Sequence, residues 1–239
     1  MDKLHLVQIL KKYYLNGLVE KASLVVKDKK ISIKVVSPNK DLVGYVDADI
    51  ELQDCDLGIY DTSQLLKLIG ITGSFLTLNL DMKHKIAKTL LIADNEYNLE
   101  YALADTMMIP SVPTIEEPEY DVSMDVDAEF IEKFIKSAKA LDTEIFTIES
   151  LVDDKGVNLV KIILGGQEKH TNKVHFTSIA QNVGTPGEVL RFPISEFREI
   201  LDTNKDMVSG VLQLSEQGFM RIDFKSENIT NYYFLVAKE

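Results

Sequence analysis

The sequence has no tryptophan, one cysteine and six prolines in 239 residues. It has only three arginines, Arg191, Arg198 and Arg221. The lone Cys55 excludes an intramolecular disulfide and fits a reducing cytoplasm. So few arginines argue against sequence-specific DNA reading, which favours bidentate guanidinium contacts to base edges. No apolar run is long enough to span a bilayer, and no basic, apolar leader opens the chain, so no membrane partner is expected. Glycine loops of dinucleotide or P-loop spacing are missing, and the four histidines (His5, His84, His170, His175) show no zincin spacing. The formal net charge of -12 argues against nucleic-acid binding on an open surface, where counterion release needs clustered Lys and Arg.

What is present is ordinary for a globular protein, 45% hydrophobic and 27% charged, and its length fits one or two domains. Asp2–Tyr14 has the spacing of a helix, with Leu6, Leu10, Tyr13 and Tyr14 together with Val7 and Ile9 on one arc and His5, Gln8, Lys11 and Lys12 opposite. Strands are expected over 22–28, 30–36 and 43–53; in the last, Val46, Ala48, Ile50 and Leu52 alternate with acids and Gln53. A short helix with Asp61 as its cap follows, then strands over 75–82, 88–94 and 97–105. Residues 107–125 hold three of the six prolines (Pro110, Pro113, Pro118) and little periodicity, so they are expected to be a connector. Beyond it lie a helix over Asp127–Leu141, strands over 144–150, 157–166 and 173–183, a helix over 192–204 and three closing strands.

That order is a repeat. Tyr60 lies over Phe192, Ser63 over Ser195, Leu65 over Phe197 and Leu68 over Ile200, and three strands follow each copy. The domains are expected at 1–106 and 126–239, two copies of one α+β fold joined by 107–125.

Two stretches raise the question of metal. The run Asp47–Asp56 is rich in carboxylates, but it lacks the glycine and closing glutamate of a calcium loop, and its alternation already fits a strand with a solvated face. His170 and His175 flank a strand start and read as surface residues. Neither implies a cofactor, and a metal-dependent enzyme built on Asp47–Asp56 stands only as a minor alternative. Flanked by Asp54 and Asp56, Cys55 is disfavoured as a nucleophile.

The lysines are more informative. Lys133, Lys136 and Lys139 share one sector of their helix, opposite Phe130, Ile131 and Phe134. Glu129 and Glu132 stand one helical step ahead of Lys133 and Lys136, an arrangement that by itself suits a solvated face. The four expected helices are together near neutral, so the acidity lies on strands and loops.

With these stretches the chain resembles the DNA polymerase sliding clamps of T4-like tailed bacteriophages. The resemblance is carried by LGIYDTSQLLKLIG, LLIADNEYNLEYALAD and DAEFIEKFIKSAKALDTEIFTI, and runs over nearly the whole chain in order and length. It departs at the ends: the first helix begins almost at Met1, and the chain stops soon after its last strand. The resemblance implies a non-enzymatic homotrimer, a six-domain ring that encircles double-stranded DNA without sequence preference, tethers the replicative polymerase and is placed by an ATP-dependent clamp loader. It would work in the cytoplasm of the infected bacterial host. A clamp-fold scaffold for transcription or repair proteins is the alternative role. Carried over by position, Lys3, Lys11, Lys12, Lys133, Lys136 and Lys139 would face DNA, with Lys67 and Arg198 as weaker candidates. Lys136 and Lys139 are expected to matter more than Lys133, the lysine nearest Glu129. Leu42, Val43, Ile109, Pro110, Leu235, Val236 and Ala237 would form a pocket for partner peptides. Subunits would join by edge strands, Tyr97, Leu99 and Tyr101 of one meeting Val174, Phe176 and Ser178 of the next.

Overall fold

The computed structural model describes residues 1–83, 86–141, 143–166, 171–183, 189–207 and 209–238. They belong to two compact units, Met1–Pro113 with Glu227–Asn231, and Thr114–Ser226 with Tyr232–Glu239.

In the first unit the Asp2 carboxylate accepts the Leu4 N–H at 2.6 Å and opens α1 (Lys3–Tyr14). Leu6, Ile9, Leu10 and Tyr13 form its buried stripe. Leu15, at φ 48, ends the helix by giving its N–H to the Lys11 carbonyl. Strands β1 (Ala22–Lys27), β2 (Lys30–Val36), β3 (Leu42–Asp49) and β4 (Cys55–Ile59) form an antiparallel sheet in the order β3-β2-β1-β4. The β1–β2 loop is two residues, Asp28 and Lys29, both at positive φ, the conformation whose twist matches the flanking strands. Then come α2 (Thr62–Gly70), capped by Asp61, and the three-stranded sheet β5 (Thr77–Lys83), β6 (Ile86–Ala93) and β7 (Asn98–Ala102), with β6 in the middle.

The two sheets touch where Ala104 gives its N–H to the Gly58 carbonyl at 2.9 Å. A Cβ on Gly58 would lie 2.4 Å from the Ala104 oxygen, so only glycine allows this approach. The core between helices and sheets is aliphatic, with Tyr13 at its centre giving or taking a 2.8 Å hydrogen bond with the Thr62 hydroxyl.

The second unit repeats the plan with two added strands, β8 and the short β12. Strand β8 (Val122–Val126) precedes α3 (Ala128–Ala140), whose cap is Asp127. Strands β9 (Ile145–Val152), β10 (Asn158–Gly165), β11 (Lys173–Ile179), β12 (Asn182–Val183) and β13 (Leu190–Pro193) lead into α4 (Ile194–Thr203). Strands β14 (Gly210–Ser215), β15 (Phe219–Lys225) and β16 (Ile229–Val236) follow it. The sheets run β11-β10-β9-β13 and β12-β8-β14-β15-β16. The core here is aromatic. Phe134 meets Phe197 edge-on at 4.8 Å and Phe146 at 5.2 Å, and Phe146 stacks on Phe197 at 5.0 Å.

Three short strands went unread in the sequence: β4, β8 and β13. The expected connector therefore ends early. Residues 122–125 lie in β8, and Thr114–Ser226 belongs to the second unit. There Arg221 grips Asp223 through two hydrogen bonds (2.8 and 2.7 Å), pairs with Glu117 and stacks 4.4 Å from the Tyr232 ring centre. Burial, with Glu117 second, pushes the Tyr120 phenol beside them up to about 12.

Candidate nucleic-acid interface

The outer face of α3 is fixed by the inner one. Phe130, Ile131, Phe134 and Ala138 are buried, so Lys133, Lys136 and Lys139 must stand out to solvent. Two of the three are partnered. Lys133 lies 2.5 Å from Glu129, and Lys136 pairs with Glu132. The hydrogen bond that Lys133 donates to Glu129 raises the Lys133 ammonium above its ordinary range, and Lys136 holds the Glu132 carboxyl below its own. All four groups are well exposed, so the pairs are weak and salt-screened. Lys139 has no such partner among the described residues. The ranking read from the sequence changes accordingly: Lys136 joins Lys133 among the paired lysines, and Lys139 stands alone.

On α1 the lysines separate by depth. Lys11 is exposed and makes no ion pair. Lys12, expected beside it at the surface, is only 1% exposed and is withdrawn as a DNA contact. The wheel explains why: Lys12 stands about 60° round from Ile9, on the border of the buried stripe, whereas Lys11 lies on its far side. Lys3 is half-buried and turns inward, its ammonium donating to the Gly70 and Thr72 carbonyls at 3.0 and 2.6 Å, where it meets the negative end of α2. Of the weaker candidates, Lys67 on α2 is exposed and unpaired, while Arg198 on α4 is held by Glu199 at 2.6 Å. Among the described residues, Lys11, Lys67 and Lys139 are thus the exposed cations of these helices that make no ion pair.

The expected joining strands lie at sheet edges. Strand β7 pairs only with β6, and β11 only with β10, among the described residues. Their side chains divide differently from expectation. Tyr97 is exposed and Leu99 half-buried, but Tyr101 is a core residue. Its hydroxyl donates to the Asp61 carbonyl at 2.9 Å and accepts the Asp61 N–H at 3.1 Å. On β11, Val174, Phe176 and Ser178 point to their own unit; Phe176 packs on Phe130 at 6.2 Å. The outward side chains are Lys173, His175, Thr177 and Ile179, which two-residue alternation would have identified. An open groove of about 290 Å³ runs between β11 and the start of α3, lined by His175, Thr177, Glu129 and Lys133 among others.

Of the expected peptide-binding residues, Leu42, Val43, Ile109 and Leu235 are buried, Pro110 and Val236 are exposed, and Ala237 is half-buried. The carboxylates of the acidic run diverge. Asp47 accepts from the Ser32 hydroxyl at 2.5 Å and Asp54 from the Asp28 N–H at 2.9 Å, and no metal-holding cluster of three or more such groups occurs among the described residues. His84 and His170 lie outside the described residues.

No protein-family model matches the sequence, and no curated protein does. Solved structures do. The chain is similar to the proliferating cell nuclear antigen of Entamoeba histolytica, with a TM-score of 0.78 and 17% identity over 100% of this chain and 96% of that one. It is also similar to the PCNA of A. fulgidus, solved with the C-terminal region of FEN-1 bound, with a TM-score of 0.75 and 16% identity over 100% and 97%. Both likenesses run the full length, and they show that the chain has the PCNA-like clamp fold, helices on antiparallel sheets in two successive units.

Proposed function

We propose that this chain is a DNA sliding clamp of the T4-like phage type, three copies of which close into a ring around duplex DNA and tether the replicative polymerase. What carries the reading is the full-length PCNA-like fold combined with two edge strands, β7 in one unit and β11 in the other, each open on one side among the described residues. An open edge is a liability in a lone chain, and head-to-tail pairing of β7 with β11 of the next copy removes it.

In such a ring α1 to α4 face the DNA. Encirclement replaces affinity, so the lining needs only to avoid repelling phosphate. Strong contacts would hinder sliding. Lys11, Lys67 and Lys139 supply flexible point charges suited to brief contacts, and the Glu129 and Glu132 pairs temper the rest. The net charge of -12 then lies mainly outside, where it discourages DNA from wrapping the ring. The clamp performs no chemistry of its own; a loader opens it with ATP, in the cytoplasm of an infected bacterium. Partner peptides dock against exposed Pro110 and Val236 and half-buried Ala237, with Leu42, Val43, Ile109 and Leu235 as packing support.

The deciding experiment compares circular and linear DNA. Clamp placed by its loader stays on a circle and runs off a linear molecule; equal retention on both overturns the reading. Light scattering at high protein concentration should give three times the 26.9 kDa chain mass. A ring that loads but recruits transcription or repair proteins in place of the polymerase would identify the scaffold role.

A further inference from the structure

The two units differ at one sheet edge. In the second, β8 covers β14 over five residues, Val122 opposite Leu214 and Met124 opposite Leu212. The matching strand of the first unit is β5, the first after α2 as β14 is the first after α4. Among the described residues, only Met1 to Lys3 lie against the stretch that leads into it. Met1 and Leu76 exchange both backbone hydrogen bonds, at 2.7 and 2.9 Å, and Asp2 bridges Phe75. Backbone groups point to alternate sides along a strand, so the N–H and C=O of Leu78 and Leu80 face the same open side, where no described strand lies.

The side chains register the same gap. Leu212 and Leu214 are 0% and 4% exposed under β8, whereas Leu78 is 8% exposed and Leu80 only half-buried. Phe75 (77%) and Met82 (36%) stand out to solvent at the two ends of β5. A bulge between Asp81 and Met82 breaks the ladder, so the regular open edge is Thr77–Asp81, the same length as β8.

We infer that the β5 edge is a docking site for an extended segment of a partner protein, which adds to the sheet as an antiparallel strand. β8 is the internal template for this occupant. It places Val122, Met124 and Val126 in the core and turns Ser123 and Asp125 away. The partner segment therefore carries apolar residues opposite Leu78 and Leu80. Asp81 is exposed at the far end, so a basic or hydroxyl residue fits beside it, in place of an acid. Backbone pairing supplies the attachment and alternate side chains supply the selectivity. This edge is distinct from β7 and β11, so the site does not depend on how copies assemble.

The probe is a synthetic peptide with the sequence of Asp121–Asp127, added to the full chain and read by hydrogen exchange in the 76–82 segment. Strand addition slows exchange there by at least about tenfold at saturation. The control peptide is N-methylated at the valine and methionine amides that face β14; those of Ser123 face the other way, as the Gln181 N–H on its carbonyl shows. That control should give no protection. A lone short strand binds weakly, so the sequence of Asp121–Asp125 is also joined directly ahead of Met1, which stands where Val126 stands in β8. The in-register fusion should protect the segment, and a fusion with one extra residue, which turns every side chain to the wrong face, should not. The inference is overturned by absence of protection in both formats or by equal protection from the methylated peptide. Protection that appears without peptide as protein concentration and particle mass rise would overturn it too, assigning the edge to a second copy.

Discussion

Counted from their capping aspartates, α1 and α3 run in step. Leu6 falls with Ile131, Ile9 with Phe134 and Lys11 with Lys136, so the stripe and one lysine coincide while the packing around them differs. The first unit packs branched aliphatics around one hydrogen-bonded tyrosine; the second packs a cluster of phenylalanine rings. On the outside, α3 sets an acid one turn before two of its lysines, while α1 has no acid within the helix. The lesson is that this fold requires a buried stripe, a cap and matched volumes, not particular side chains. The outer face is correspondingly free to be tuned, and the two halves tune it differently.

Truncating the matched core residues Phe134 and Ile9 presses hardest on that comparison. Phe134→Ala should cost about 3–5 kcal/mol, and Ile9→Ala should fall lower in the range of about 2–5 kcal/mol for aliphatic truncations, both by denaturant titration. Equal losses would mean that ring contacts add nothing to burial alone. Gly58→Ala should cost about 1–3 kcal/mol, because its Cβ collides with backbone that a side-chain shift cannot relieve. The equivalent tie in the second unit, Lys238 N–H to the Arg191 carbonyl at 2.8 Å, already carries a side chain and should tolerate alanine. On DNA, Lys11→Ala and Lys139→Ala should each lower the slope of log retention against log salt by about 0.9. Lys133→Ala and Lys136→Ala should lower it less; four equal changes would show that the α3 pairs open on DNA.

The smallest effect concerns Cys55, in the first unit alone. Burial first, then Asp56 and Asp54, pushes its thiol up to about 11. Alkylation should be slow at neutral pH and accelerate as pH rises toward that value, because only the thiolate reacts. Fast labelling at neutral pH would indicate that the first unit opens locally.

The four helices were legible because each states its stripe locally and three also state a cap: Asp2, Asp61 and Asp127 all accept the N–H their position calls for. The long alternating strands were legible for the same reason. Strands β4, β8 and β13 were not. Each is five residues or fewer, and each is masked by something else: the acidic run before Cys55, the prolines before Val122, and Pro193 at the end of β13. Their pairing is decided by distant partners. The depth of Lys12 was equally hidden, since a lysine at the edge of a stripe reads as surface until its neighbours are known. The edge positions of β7 and β11 came only from resemblance, because sheet order is a long-range property.

The tyrosine at the heart of the first unit also gives the molecule an optical handle. There is no tryptophan, so absorbance and emission belong to nine tyrosines, and Tyr13 is fully buried. Burial raises its phenol well above the ordinary value, outweighing the Thr62 hydrogen bond. In an alkaline spectrophotometric titration it should remain un-ionised after the exposed phenols have turned to phenolate, and then appear abruptly when α1 lifts from its sheet. The protein thus carries its own indicator for the integrity of one half, with no label added.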